Sequence, residues 1–254
     1  RAWRQVLSVN DSMLLQRQQF LKAHAVHGWK GEAKQLWKAF DRDDSGFVSL
    51  DELDPQAAVI LACFKNFVDE KFGSAAAAFK ALDADGSLCV KQQEFMNALR
   101  KHGFRYPMKH LFHGLDYDGS KTITEDKIVF IDKWKPFAYL CASPNYKAKE
   151  EFSAMLLARY KSYLKAWRCV LDLDNSNRCN WLEFQGACQK CRYQGDIPGA
   201  WRAFDEDLSG FITLHELHPA TCEVLKGFKV WADTEFGNVK SAFSVFDHDG
   251  SKEL

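Results

Sequence analysis

Oxygen-bearing side chains recur at fixed intervals in Asp41-Arg42-Asp43-Asp44-Ser45-Gly46-Phe47-Val48-Ser49-Leu50-Asp51-Glu52, at positions 1, 3, 5, 9 and 12. A hard divalent cation such as Ca²⁺ takes about six to eight oxygens at roughly 2.3–2.6 Å. Asp41, Asp43 and Ser45 can each offer a side-chain oxygen, the carbonyl of Phe47 a further one, Ser49 a contact through water, and Glu52 both carboxylate oxygens. Gly46 permits the left-handed backbone that wraps a loop around an ion. The stretch from Asp205 to Glu216 repeats these features, so Asp205, Asp207, Ser209, the carbonyl of Phe211, Thr213 and Glu216 form a second ligand set. Strong Ca²⁺ binding is expected at both.

Related loops carry substitutions with physical consequences. The stretch 83–94 keeps Asp83, Asp85, Ser87, the carbonyl of Cys89 and Glu94, but places Leu88 where the turn wants Gly. A branched side chain at positive φ is strained by roughly 1 kcal/mol or more. Lys91 adds positive charge, and weakened binding is expected. The stretch 172–183 keeps Asp172, Asp174, Ser176, the carbonyl of Arg178, Asn180 and Glu183. Its Asn177 tolerates the left-handed region, and intermediate binding is expected. The stretch 116–127 ends in Lys127 where a bidentate carboxylate belongs, which removes two ligands and repels a cation. It is expected to be a structural partner that binds no Ca²⁺. The stretch 8–19 lacks both the first Asp and the last Glu and is expected to bind nothing, and Asp247 and Asp249 open a further loop without a position-12 partner.

These loops resemble those of the EF-hand family, and their tandem arrangement is similar in plan to the four-hand, two-lobe layout of calmodulin-like proteins. The resemblance implies an all-α fold of paired helix–loop–helix units with short two-stranded loop contacts, and Ca²⁺ as the bound ion. It further implies antiparallel contacts between position-8 residues, so Val48 should face Leu15, Val90 should face Ile123, and Cys179 should face Ile212. In sensors of this family the position-12 Glu draws the exiting helix toward the ion. Gln19 and Lys127 lack that lever, so the first two lobes are expected to open less than the third, which has Glu183 and Glu216.

Helices must hold these loops, and Trp37, Phe40 and Leu53 fall at helical spacing on either side of the first complete one. The chain matches itself at an offset of 164 residues. Trp37-Lys38-Ala39-Phe40-Asp41 corresponds to Trp201-Arg202-Ala203-Phe204-Asp205, Phe64-Lys65 to Phe228-Lys229, and Ala2-Trp3-Arg4 to Ala166-Trp167-Arg168. Such self-similarity marks a tandem duplication. Loops start at 8, 41, 83, 116, 172, 205 and 247, and the recurring step of 33 residues identifies the pairs. The expected organisation is a first pair at 1–70, a second at 71–135, a helical connector at 136–160, a third pair at 161–235 and the start of a fourth at 236–254. A continuous helix over 145–171 is expected to act as a spacer between modules. The chain starts without Met and stops inside the loop begun by Asp247, and is expected to be an excerpt from a longer array.

Composition narrows the function classes. Equal numbers of basic and acidic residues, 34 each, argue against a generally basic nucleic-acid binder. A hydrophobic content of 46% excludes a disordered chain. No apolar run reaches the length of a membrane span. The eight Cys, including the Cys188-Gln189-Lys190-Cys191 run, read as reduced thiols. His24 with His27, and His215 with His218, read as ordinary surface pairs rather than metal chelates. Arg100, Lys101, Arg105 and Lys109, with His102, His110 and His113, read as a solvated basic face, with an acidic partner or lipid headgroups as the functional alternative. No nucleophile elbow, phosphate loop or paired catalytic carboxylates occur, so no enzyme activity is expected. The expected role is a Ca²⁺-responsive scaffold or mechanical segment, cytoplasmic or cytoskeleton-associated, whose partners are Ca²⁺ and neighbouring repeats or other protein segments. The alternative is a regulatory segment of a kinase or phosphatase.

Overall fold

The structure is a computed structural model that describes residues 3–4, 13–27, 30–41 and 44–248. Contacts divide the chain into two compact units, the first drawn from 1–143 and 208–210 and the second from 144–207 and 211–254. The fold is all-α, with short two-stranded contacts between loops. No described helix is long and apolar enough to cross a membrane.

In the first unit the elements run β1 (Leu14–Gln16), α1 (Arg17–His27), α2 (Ala33–Phe40), β2 (Phe47–Ser49), α3 (Leu50–Leu53), α4 (Pro55–Phe72), α5 (Ala75–Leu82), β3 (Val90–Lys91), α6 (Gln92–Lys101), α7 (Met108–Leu115) and β4 (Thr122–Ile123). Local chemistry sets the ends of α4. The Asp54 carboxylate accepts from the Ala57 amide at 3.0 Å, Pro55 opens the helix, and Gly73 closes it at φ 77°. The face of α4 made by Ala58, Leu61, Phe64 and Val68 is buried, and burying a Phe or Leu side chain is worth about 1.5–3 kcal/mol. The Phe64 ring meets Phe95 at 6.2 Å and Phe104 at 5.8 Å. After β4 the chain does not form an α-helix. Three 3₁₀ turns follow instead, Glu125–Lys127, Val129–Asp132 and Ala138–Leu140.

In the second unit the order is α8 (Tyr146–Tyr160), α9 (Tyr163–Ala166), a π-helical turn (Trp167–Leu171), β5 (Cys179–Asn180), α10 (Trp181–Cys191), α11 (Ile197–Phe204), β6 (Phe211–Ile212), α12 (Leu214–Leu217), α13 (Pro219–Phe236) and α14 (Val239–Phe246). The continuous helix expected over 145–171 is absent. Lys161 takes a left-handed conformation at φ 68° and ends α8, and the Ser162 hydroxyl accepts from the Lys165 amide at 3.2 Å to begin α9. Nor is α8 a free spacer. Phe152 is fully buried among Phe184, Tyr193 and Phe204, and the Asn145 amide donates to the Gly199 carbonyl at 2.9 Å. A Cβ on Gly199 would lie 2.8 Å from that of Asn145, so only glycine allows this approach.

The loop contacts follow the position-8 expectation. Leu15 is opposite Val48, Val90 opposite Ile123, and Cys179 opposite Ile212, each antiparallel. All six of these side chains are buried, so each pair of loops closes over a small apolar plug.

Candidate cation-binding loops

The backbone of the loops is uniform although their side chains are not. Five loops place left-handed residues at positions 4 and 6: Asp44 and Gly46, Gly86 and Leu88, Gly119 and Lys121, Asn175 and Asn177, Leu208 and Gly210, with φ between 53° and 83°. Met13, at position 6 of the 8–19 stretch, has φ 55°. Leu88 therefore does sit in the strained region, and its side chain is 71% exposed. The first Asp holds the turn by accepting from the position-6 amide. Gly46 donates to Asp41 at 3.2 Å, Leu88 to Asp83 at 3.0 Å, Lys121 to Asp116 at 3.1 Å and Asn177 to Asp172 at 3.1 Å. Position 3 takes the position-5 amide in the same way, through Asp85, Asp118 and Asp174. The Asp85 carboxyl is lowered by the Ser87 hydroxyl and amide, and the Asp174 carboxyl by the Ser176 amide and hydroxyl.

Positions 5 and 7 meet as well. The hydroxyls of Ser45, Ser87 and Ser176 donate to the carbonyls of Phe47, Cys89 and Arg178 at 3.0, 3.1 and 2.9 Å. The position-12 carboxylate caps the following helix by accepting from the position-9 amide. Ser49 donates to Glu52 at 2.9 Å, Asn180 to Glu183 at 2.9 Å and Thr213 to Glu216 at 2.8 Å. Lys91 donates to Glu94 at 3.4 Å. Gln19 does the same for Gln16 at 3.0 Å, which preserves the turn without a charge.

Among the described residues, two loops bring their carboxylates together. Oxygens of Asp83, Asp85 and Glu94 lie within 4.8 Å of one another, as do those of Asp205, Asp207 and Glu216. Ligands on opposite sides of a Ca²⁺ ion are separated by about twice a bond of roughly 2.4 Å, so these clusters fit the ion. Asp205 is fully buried and Ser209 half-buried. Asp43 lies outside the described residues, so the 41–52 loop is described at Asp41, Ser45, Phe47, Ser49 and Glu52 but not at its third position. Trp37, which the ligand pattern does not predict, donates its indole N–H to Asp41 at 3.1 Å.

The 172–183 loop is different. Asp172 is fully buried, and its Oδ2 accepts from Arg168 at 2.9 Å and from the Trp167 indole at 3.0 Å. Asp172, Asp174 and Glu183 do not form a cluster of the kind seen at 83–94. Burial raises the Glu183 carboxyl above its ordinary value, with the nearby charge of Asp174 adding to it. The entering helix reaches this loop through a π turn, and the Asp172 amide bonds to Trp167, five residues back, where Asp41 bonds to Trp37, four back. Trp167 thus precedes its loop by one residue more than Trp37 precedes its own, and the π turn accommodates the difference. The carboxylate oxygens thus converge at 83–94 and not at 172–183. Arg168, four residues before Asp172, is the signal the ligand pattern overlooked.

In the 116–127 loop Lys127 is only 3% exposed and turns inward. Its ammonium donates to Asp116 Oδ1 at 3.1 Å, Asp118 Oδ1 at 2.5 Å, Ser120 Oγ at 2.7 Å and the Thr122 carbonyl at 2.8 Å. Burial opposes the charge, but the hydrogen bonds to Asp118 and Asp116 outweigh it and hold the amine above its ordinary pKa. Lys127 in turn holds Asp118 well below the carboxylate range. Arg4 braces the turn, donating to the Lys127 carbonyl at 2.6 Å with its guanidinium 3.9 Å from the Phe130 ring centre.

The remaining candidates fall into structural roles. His218 caps α13, accepting from the Thr221 amide, and stacks on Tyr163 at 4.3 Å. The His27 side chain lies outside the described residues. Arg100, Lys101, Arg105, Lys109, His110 and His113 are exposed. None of the eight cysteines is in a disulfide, and burial pushes the Cys188 thiol up to about 12, which leaves little reactive thiolate there.

No curated protein matches the chain. A family model described as EF hand matches residues 38–54, which span the end of α2, the 41–52 loop and α3. Residues 38–54 are thus similar to an EF hand, within an all-α fold.

Proposed function

We propose that the chain is a Ca²⁺-binding array of EF hands and that it serves as a Ca²⁺-responsive structural segment rather than an enzyme. The observation that carries the reading is the convergence of three carboxylates at Asp83, Asp85 and Glu94 and again at Asp205, Asp207 and Glu216. The EF-hand match at 38–54 adds a third loop. On this reading the 172–183 loop binds more weakly than these, because Arg168 already neutralises Asp172. The mixture of complete and incomplete loops suits a scaffold whose lobes stiffen or change angle on binding, in a cytoplasmic or cytoskeletal setting, with neighbouring repeats as partners.

Calorimetry on the full chain tests this. Ca²⁺ titration should resolve binding events at 41–52, 83–94 and 205–216. Glu216→Gln and Glu94→Gln should each remove one event and leave the others. A wild-type chain that takes up no Ca²⁺, or variants that leave the binding profile unchanged, would overturn the proposal.

A further inference from the structure

We propose that the 116–127 loop is a cation site whose resident cation is the chain's own Lys127 ammonium, so that this loop stays in its filled conformation whether or not metal is present. The four oxygens that contact Nζ come from positions 1, 3, 5 and 7, the same positions that would ligate an ion in the 41–52 and 205–216 loops. The nitrogen therefore occupies the centre of the loop rather than its rim.

Charge is conserved by the exchange. A complete loop contributes a position-12 carboxylate and takes up a divalent ion, a net gain of a single positive charge. Lys127 alone supplies that gain. An ammonium has three protons for four acceptors, so one bond is shared. The N–O distances of 2.5–3.1 Å put all four oxygens within hydrogen-bond reach, and the two to Asp116 and Asp118 are charge-assisted. The backbone agrees, since Gly119 and Lys121 have φ 76° and 66°, as in the loops that carry carboxylate clusters. The partner 83–94 loop, joined through Val90 and Ile123, is held in register by a neighbour that needs no ion.

The reading has a cost that the structure displays. With its side chain turned into the loop, position 12 cannot cap the following helix, and the exit segment runs as 3₁₀ turns.

Two measurements on the full chain test the inference. In ¹H–¹⁵N spectra of lysine side chains recorded in chelator, the Lys127 ammonium should give a signal in slow exchange with water, unlike exposed lysines. Added Ca²⁺ should leave that signal protected. A Lys127 signal that exchanges like surface lysines, or one that Ca²⁺ exposes, would overturn the proposal. Lys127→Glu restores the missing ligand and should add one Ca²⁺-binding event relative to wild type. A folded Lys127→Glu chain with no added event would overturn it as well. Should Lys127→Glu fail to fold, the wild-type spectrum decides alone. A protected Lys127 in a wild-type chain that binds no Ca²⁺ would defeat the proposed function and leave this inference standing.

Discussion

Helices α4 and α13 occupy equivalent places in the repeat and meet different fates. Each runs 18 residues from a proline to a left-handed glycine. Each carries the same surface ion pair, Lys65 with Asp69 at 2.6 Å and Lys229 with Asp233 at 2.5 Å. Yet Phe64 is fully buried while its counterpart Phe228 is 44% exposed, and the following helices differ likewise, Phe79 at 2% against Phe243 at 36%. In the first unit α6, α7 and the turns after β4 lie over α4, with Phe95, Phe104 and Leu140 in contact with it. Among the described residues of the second unit nothing takes that place, and Phe228, Trp231, Phe236 and Phe246 stack on one another instead. The difference shows that burial belongs to what a helix meets. Two segments with the same length, opening proline, closing glycine and apolar spacing are core in one setting and surface in the other.

The largest test of this contrast is Phe64→Ala. It removes a ring packed on two others and should cost about 3–5 kcal/mol in chemical unfolding of the first unit. A loss below about 1 kcal/mol would mean that α4 is not the centre of that core. Amide hydrogen exchange comes next. Amides near Phe64 and Val68 should exchange about 100-fold more slowly than those near Phe228 and Ala232, because open faces permit local unfolding. Equal protection would mean that the α13 face is covered in solution. Asp132→Ala should cost about 1 kcal/mol, since its carboxylate accepts from the Ala75 amide at the start of α5 at 2.9 Å. This tests whether the turns after β4 support the first unit as well as covering it. Phe228→Ala should change stability by less than about 0.5 kcal/mol, and a cost near that of Phe64→Ala would erase the comparison.

Much of this was legible in the residues. The family resemblance implied the three strand pairings to the residue once loop spacing had located position 8, and a one-residue slip would turn the apolar side chain out. Leu88 and Asn177 at left-handed positions followed from their place in the loop. Long-range direction was harder to read. Lys127 is the wrong residue type for a ligand, and type alone speaks of repulsion. That a four-carbon stem could carry its charge to the ion position is a matter of reach. The break at Lys161 was hidden by apolar spacing that continues through it, although Ser162 is a fair helix-capping residue. Arg168 was visible at helical distance from Asp172, and a reading limited to ligand positions had no place for a competing cation.

The paired left-handed residues at positions 4 and 6 separate the shape of a loop from its contents. Gly, Asp, Asn, Leu and Lys all appear at those positions, and the turn closes the same way. Holding an ion then depends on two or three side chains that can be exchanged without disturbing a helix. Mineral stoichiometry in such a chain is a heritable setting rather than a property of the architecture. On the reading proposed above, one codon fills a loop permanently, as at Lys127, and one codon can reverse that change while the surrounding lobe keeps its packing.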